Sequence, residues 1–131
     1  MLFHSFGSQS ERRAFGGGDF IEMQYCKLKR SIAIEEIVSP DLVEFWKDDS
    51  LYICGDDWND FCDAYADIIT DGTYANLETG CLDWCGINYF TFKQTASIIQ
   101  HIQMEKPTEY STVLDWLEKG KQYNGFYVLG L

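Results

Sequence analysis

Twelve carboxylates and one lysine fall within residues 41–85, and these are the side chains whose number and spacing could do chemistry. Elsewhere the charges cancel: residues 1–40 hold five acids and five bases, and residues 86–131 hold four of each. The whole net charge of −11 therefore belongs to one third of the chain. Two carboxylates hydrolyse a glycosidic bond when they face each other across a sugar cleft and one is kept protonated. Acids gathered on one solvated face do not meet that condition. Carboxylates bind calcium when spaced as Asp-x-Asp/Asn-x-Asp/Asn-Gly with a glutamate at position 12. Counted from Asp56, the third position is Trp58 and the sixth is Phe61, so the calcium pattern fails. The chemistry left to a dense acidic stretch is electrostatic: solvation of a surface, or attraction of a basic partner.

The other reactive side chains give no stronger signal. Cys26, Cys54, Cys62, Cys81 and Cys85 are odd in number and not spaced as a disulfide framework, which fits reduced thiols and a cytoplasmic chain. Cys81 and Cys85 form a lone Cys-x3-Cys, whereas a structural zinc site needs a second pair. His4 and His101 are far apart, so neither a metal site nor a cofactor is expected. A nucleophilic thiol wants a nearby histidine and an electropositive setting, and four of the five thiols lie in the acidic third. Gly16, Gly17 and Gly18 are not followed by Gly-Lys-Ser/Thr, so they are not a phosphate loop. An enzyme is not expected. No apolar run approaches the ~20 residues of a membrane span, and the first residues lack the basic-then-apolar pattern of a secretory signal. At a sequence pI of about 4.4, direct contact with nucleic acid or an anionic membrane is not expected.

The acids need an element to position them. Trp58, Phe61, Cys62, Tyr65, Ile68 and Ile69 recur at helical spacing and predict a helix over residues 56–70. At 100° per residue Asp56, Asp60, Asp63 and Asp67 fall within roughly 60° of one another on the opposite face. Asp56 or Asp57 is the expected N-cap and Gly72 the expected stop. Like charges at these spacings repel by a few tenths of a kcal/mol each, so local stability does not ask for them. One reading is a solvated face that aids solubility; the other is a docking surface. On the second, the outer face of Asp56, Asp60, Asp63 and Asp67 supplies the electrostatics, and Asp57, Asp71, Tyr74, Glu78, Asp83 and Trp84 are the flanking partner-binding candidates. Trp58, Tyr65 and Trp116 are expected in the core.

Around that helix, residues 1–18 read as a loop ending in three glycines. Residues 19–28 alternate as a half-buried strand with Ile21, Met23 and Tyr25 inward and Glu22, Gln24 and Cys26 outward. Residues 31–38 are β-branched and read as a strand, with a short helix as the alternative because Glu35 and Glu36 break the register. Lys29 and Arg30 would then turn a hairpin. Ser39 and Pro40 signal a short helix running to about Asp48. Strands are expected at 50–54, 73–77, 87–92 and 126–129, the last buried on both faces. Thr91 and Gln94 have capping-box spacing before a helix carrying Thr95, Ile98, Ile99 and Ile102, which Pro107 ends. Thr108 caps a second helix through Tyr110, Val113, Leu114 and Leu117, stopped by Gly120. The class that fits is α+β: a single domain with a small, mostly antiparallel sheet covered by about four helices.

The run Trp84-Cys-Gly-Ile-Asn-Tyr-Phe, then Lys106-Pro-Thr-Glu-Tyr, Leu114-Asp-Trp-Leu-Glu-Lys and Tyr123-Asn-Gly-Phe-Tyr-Val-Leu-Gly resembles bacterial toxin-immunity proteins. The nearest look is that of contact-dependent growth inhibition systems, over roughly residues 81–131. The resemblance rests on core and turn residues and carries no binding residues with it. It implies a cytoplasmic inhibitor that forms a 1:1 complex with the C-terminal toxin domain of an effector delivered by neighbouring cells; the high charge makes a monomer the expected free state. Such toxins are often nucleases, whose phosphate-gripping Lys and Arg suit an acidic surface. Two alternatives stand beside it: an acidic DNA mimic or adaptor that occupies a nucleic-acid-binding protein, and a small carboxylate-dependent hydrolase.

Overall fold

The computed structural model describes residues 1–16 and 18–130. Six strands, β1 (Phe20–Tyr25), β2 (Leu51–Cys54), β3 (Gly72–Thr73), β4 (Thr79–Gly80), β5 (Ile87–Phe90) and β6 (Phe126–Leu129), form one sheet in the order β2-β1-β6-β5-β3-β4. Every pairing is antiparallel. Five helices, α1 (Gln9–Phe15), α2 (Ile34–Ile37), α3 (Trp58–Tyr65), α4 (Phe92–Glu105) and α5 (Tyr110–Lys119), complete the α+β domain. No helix among the described residues is long and apolar enough to cross a membrane.

The sheet is covered on both faces. Ile21, Met23 and Tyr25 pack with Phe61, Tyr65, Ile98, Ile102, Val113 and Leu117 in the main core, beneath α3, α4 and α5. On the other face Tyr89, Tyr127 and Leu129 meet Ile37, Val38 and Val43, and Phe20 and Tyr52 meet Phe6. The run Phe126–Leu129 is buried at all four positions, as its unbroken apolar character predicts. The expected half-buried β1 is corrected: all six of its residues are buried, Glu22 and Gln24 included.

That burial explains why the helix expected after Pro40 is absent. A buried carboxylate must be given donors. Glu22 takes the backbone N–H of Trp46 at 2.8 Å and of Lys47 at 3.0 Å, the Ser50 hydroxyl at 2.7 Å and Gln24 Nε2 at 3.0 Å. Gln24 Nε2 also donates to the Glu44 carbonyl. These bonds hold residues 44–47 in an irregular path against β1, with Trp46 left-handed at φ 70°, so the short helix expected after Pro40 does not form. Residues 31–38 carry the short helix α2 in place of the strand, and Lys29 and Arg30 turn no hairpin, because β1 pairs with β2 and β6. The N-terminal segment is no simple loop either. His4 bridges Tyr52, Leu2, Phe3 and Phe6 are buried, and Ser8 caps α1 by accepting from Glu11 N–H. The Arg12 guanidinium then lies 3.5 Å from the Trp46 ring centroid. The glycine expectation at Gly17 falls outside the described residues.

The strand expected at 73–77 is corrected to the two-residue β3, because Leu77, at φ 72°, turns its N–H back to the Tyr74 carbonyl. The Thr91–Gln94 capping box forms in both directions and α4 carries Thr95, Ile98, Ile99 and Ile102 inward. Glu109, left-handed at φ 57°, occupies the N-cap of α5 where Thr108 was expected. Gly125, at φ 78°, turns into β6 where an added Cβ would lie 1.9 Å from the Phe90 carbonyl oxygen.

Candidate functional site

The acidic helix is shorter than its periodicity predicts. A 3-10 turn, Gly55–Asp57, leads into α3, and the chain leaves the helix after Tyr65 through a turn in which Ile68 and Ile69 both bond back to the Tyr65 carbonyl. Tyr65 anchors this end: its ring stacks on Phe61 at 5.5 Å and its hydroxyl donates to the Thr108 carbonyl at 2.6 Å. Asp67 therefore sits beyond the helix, and Gly72 belongs to β3 and is not the stop. Asp57 is the N-cap residue but makes no side-chain capping bond. The amphipathic division itself is as expected. Phe61 and Tyr65 are fully buried, and Asp56, Asp60, Asp63 and Asp67 are exposed.

Asp57, Asp60 and Asp63 line one side of a cleft of about 470 Å³. The α4–α5 connection supplies Thr108 and Glu109 to its other side, and Met1 and Leu2 complete it. Glu109 Oε2 accepts the Leu2 N–H at 2.6 Å, tying the N-terminal segment to the rim. Four carboxylates thus surround one cleft. The ion pairs among the described residues, Lys27–Asp49, Lys47–Glu44 and Lys121–Glu118, all lie elsewhere. Such an arrangement is stabilised by a cation entering from outside, because like charges brought together repel and an incoming ammonium or guanidinium relieves them.

Of the flanking candidates only Asp57 joins this cleft. Trp84 is 46% exposed and lies 6.3 Å from the ring of Trp58. Trp58 is roughly 160° round the helix from Asp60 at 100° per residue, so Trp84 packs on the far side of α3. The Tyr74 hydroxyl donates to the Cys81 carbonyl and covers Gly80, which pins the β3–β4 hairpin. Glu78 is held within that hairpin by Asn76. Asp83 accepts the Cys85 N–H at 3.0 Å, and Asn88 braces its backbone from both sides. Asp71, exposed and left-handed at φ 62°, gives its carbonyl to Gln94 Nε2 beside the start of α4. Of the ten candidates, three share the cleft. Glu109, Thr108 and Leu2 were not among them; the only sequence signal there was a helix start.

Tyr65 and Trp116 are buried and Trp58 half-buried, as expected of core residues. Burial raises the Cys26 thiol above its ordinary pKa. Burial first, and then the charge of Asp63, raises that of Cys62. Both are therefore poor thiolate sources at neutral pH. Among the described residues no group of three or more His, Cys, Asp or Glu is arranged to hold a metal ion. No family model, curated protein or solved structure matches the chain.

Proposed function

We propose that this protein is a cytoplasmic immunity protein that neutralises a nuclease-type toxin domain by forming a 1:1 complex with it. The observation that carries the reading is the acidic cleft with its adjoining helix face: Asp57, Asp60, Asp63 and Glu109 around one opening, Asp56 and Asp67 exposed nearby, and no intramolecular ion pair to any of them among the described residues. A toxin that grips phosphates must present Lys and Arg. The acids of α3 meet those cations, steer the encounter, and exclude nucleic acid from the same surface. Because the whole net charge lies in residues 41–85, the attraction is directional. Steered association reaches about 10⁸–10⁹ M⁻¹s⁻¹ at low salt, which suits an inhibitor that must capture a toxin before it acts.

The test is co-expression with the C-terminal nuclease domains of secreted effectors from the same genome, followed by pull-down and stopped-flow association at low and high salt. The expected result is a 1:1 complex whose association slows as salt rises. Asp60→Lys with Asp63→Lys should slow association at low salt by about tenfold or more, with a smaller effect on dissociation. Absence of a complex at either salt would overturn the immunity reading. A tight complex with an unchanged association rate would keep that reading and remove the acidic face from the interface.

A further inference from the structure

The bases gather at the end of the sheet away from the acidic cleft. β1 ends at Tyr25, opposite Phe126 of β6, which is opposite Phe90 of β5. Lys27, Lys29 and Arg30 leave β1 at this end, Lys93 follows β5 into α4, and Lys119 and Lys121 close α5. Tyr25 ties the end of α5 to the same place, donating its hydroxyl to the Trp116 carbonyl at 2.6 Å and lying against Gly120. Six of the chain's ten basic residues are therefore neighbours in the fold. β2 runs the other way and delivers Gly55 and α3 from the opposite end, where Cys54 pairs with Phe20.

Among these bases lies an apolar groove of about 250 Å³, lined by Phe92, Thr95, Ala96, Gly120 and Tyr123 with Lys121 at its edge. The Arg30 guanidinium sits 4.1 Å from the Phe92 ring centroid and donates to the Tyr123 carbonyl at 3.4 Å. Phe92 nevertheless remains 38% exposed. Lys27 is paired with Asp49 and Lys121 with Glu118, but no ion pair among the described residues engages Lys29, Arg30, Lys93 or Lys119.

We propose that this groove docks an acidic peptide segment carrying one apolar side chain. The apolar side chain fills the space over Ala96 and Gly120, and the flanking carboxylates meet Arg30, Lys93 and Lys121. This surface is separate from the acidic cleft and does not depend on the immunity reading. Charge complementarity and the groove's small apolar floor together favour that occupant. Single-stranded nucleic acid fits less well, because it needs open aromatic faces for its bases. Here Arg30 covers Phe92, while Lys27 at 5.3 Å and the Tyr25 ring at 5.0 Å cover Tyr123. The net charge of −11 does not forbid an acidic ligand. The six residues of β1 span roughly 17 Å at 3.3 Å per step, about two Debye lengths at physiological salt. Of the acids at this end, Asp49 and Glu118 are already paired with Lys27 and Lys121.

The experiment titrates the intact protein into a fluorescein-labelled heptapeptide, six glutamates around a central leucine, at physiological salt, with anisotropy as the readout. Saturable 1:1 binding is expected. It should weaken by about tenfold or more when the leucine becomes serine, when Ala96→Trp fills the groove, and when Arg30→Glu reverses the rim. The Asp60→Lys, Asp63→Lys double variant should bind at least as well as the parent, which separates this surface from the acidic one whatever the toxin experiment returns. Ala96 is exposed on α4, and Lys93→Glu is a second rim variant should Ala96→Trp lower the melting temperature. Equal binding of the serine peptide, binding untouched by Ala96→Trp and both rim variants, no saturable binding, or tighter binding of a decathymidylate strand would each overturn the proposal.

Discussion

Glu22 is 1% exposed and every partner it has is a donor. In the sequence it sits at an outward position of an alternating strand, and alternation says nothing about a second covering layer. The layer exists because the carboxylate itself collects the amides of Trp46 and Lys47 and the Ser50 hydroxyl. Glu22→Ala strands those donors, each at a cost of about 1–3 kcal/mol, and opens a cavity. Water entering the space recovers part of that. A destabilisation of about 3–5 kcal/mol in urea unfolding is expected, with the protease sensitivity of residues 39–50 rising alongside it. A loss below about 1 kcal/mol would show that the loop is held by its apolar contacts alone. Trp46, at φ 70°, and Glu109, at φ 57°, belong to the same class of position. Neither is a residue type that announces a left-handed backbone, so no local reading finds them.

Elements whose hydrogen bonds close locally were legible, and those closed by distant partners were not. α4 announces itself through Thr91 and Gln94, three residues apart, and the structure makes both bonds of that box. The buried run of β6 and the strand before Gly55 are likewise written in consecutive residues. The acidic face of α3 was legible for the same reason. The cleft was not, because its far side is Glu109, fixed by a hydrogen bond to Leu2 across 107 residues of chain. Periodicity overstates the extent of α3 because Ile68 and Ile69 stay buried in a turn as well as they would in a helix. Capping chemistry gives a direct comparison at this scale. Thr91→Ala removes a bond made to Gln94 N–H and should cost about 1 kcal/mol in thermal unfolding. Asp57→Ala removes no side-chain capping bond and should stay within about 0.5 kcal/mol. Equal costs for the two would mean that the helix start of α3 gains from the charge of Asp57 what α4 gains from a hydrogen bond.

At the scale of the whole molecule, five buried tyrosines each donate to a backbone carbonyl, four of them joining segments far apart in the chain. Tyr25 donates to the Trp116 carbonyl, Tyr52 to Lys47, Tyr65 to Thr108, Tyr89 to Asn124 and Tyr127 to Ile37, at 2.6–2.7 Å. Burial is the largest cause raising each phenol well above its ordinary value of 10.0. A raised acid binds its proton more tightly when folded, so this contribution is complete below pH 10 and is lost as pH climbs above it, where only the unfolded chain ionises. The slope is at most about 1.4 kcal/mol per pH unit for each tyrosine. Five together give at most about 7 kcal/mol per unit, against a typical total stability of about 5–15 kcal/mol. Each phenolate formed adds to the −11 balance of the chain, so self-repulsion acts in the same direction. The protein should therefore unfold cooperatively within one to two pH units above the free-phenol value. Phenolate absorbance at 295 nm from the five should rise in the same step in which the near-ultraviolet circular dichroism collapses, and added salt should move that step upward. A smooth phenolate titration near pH 10 with the dichroism intact would show that the tyrosine bonds open without unfolding, and that they do not hold the layers together.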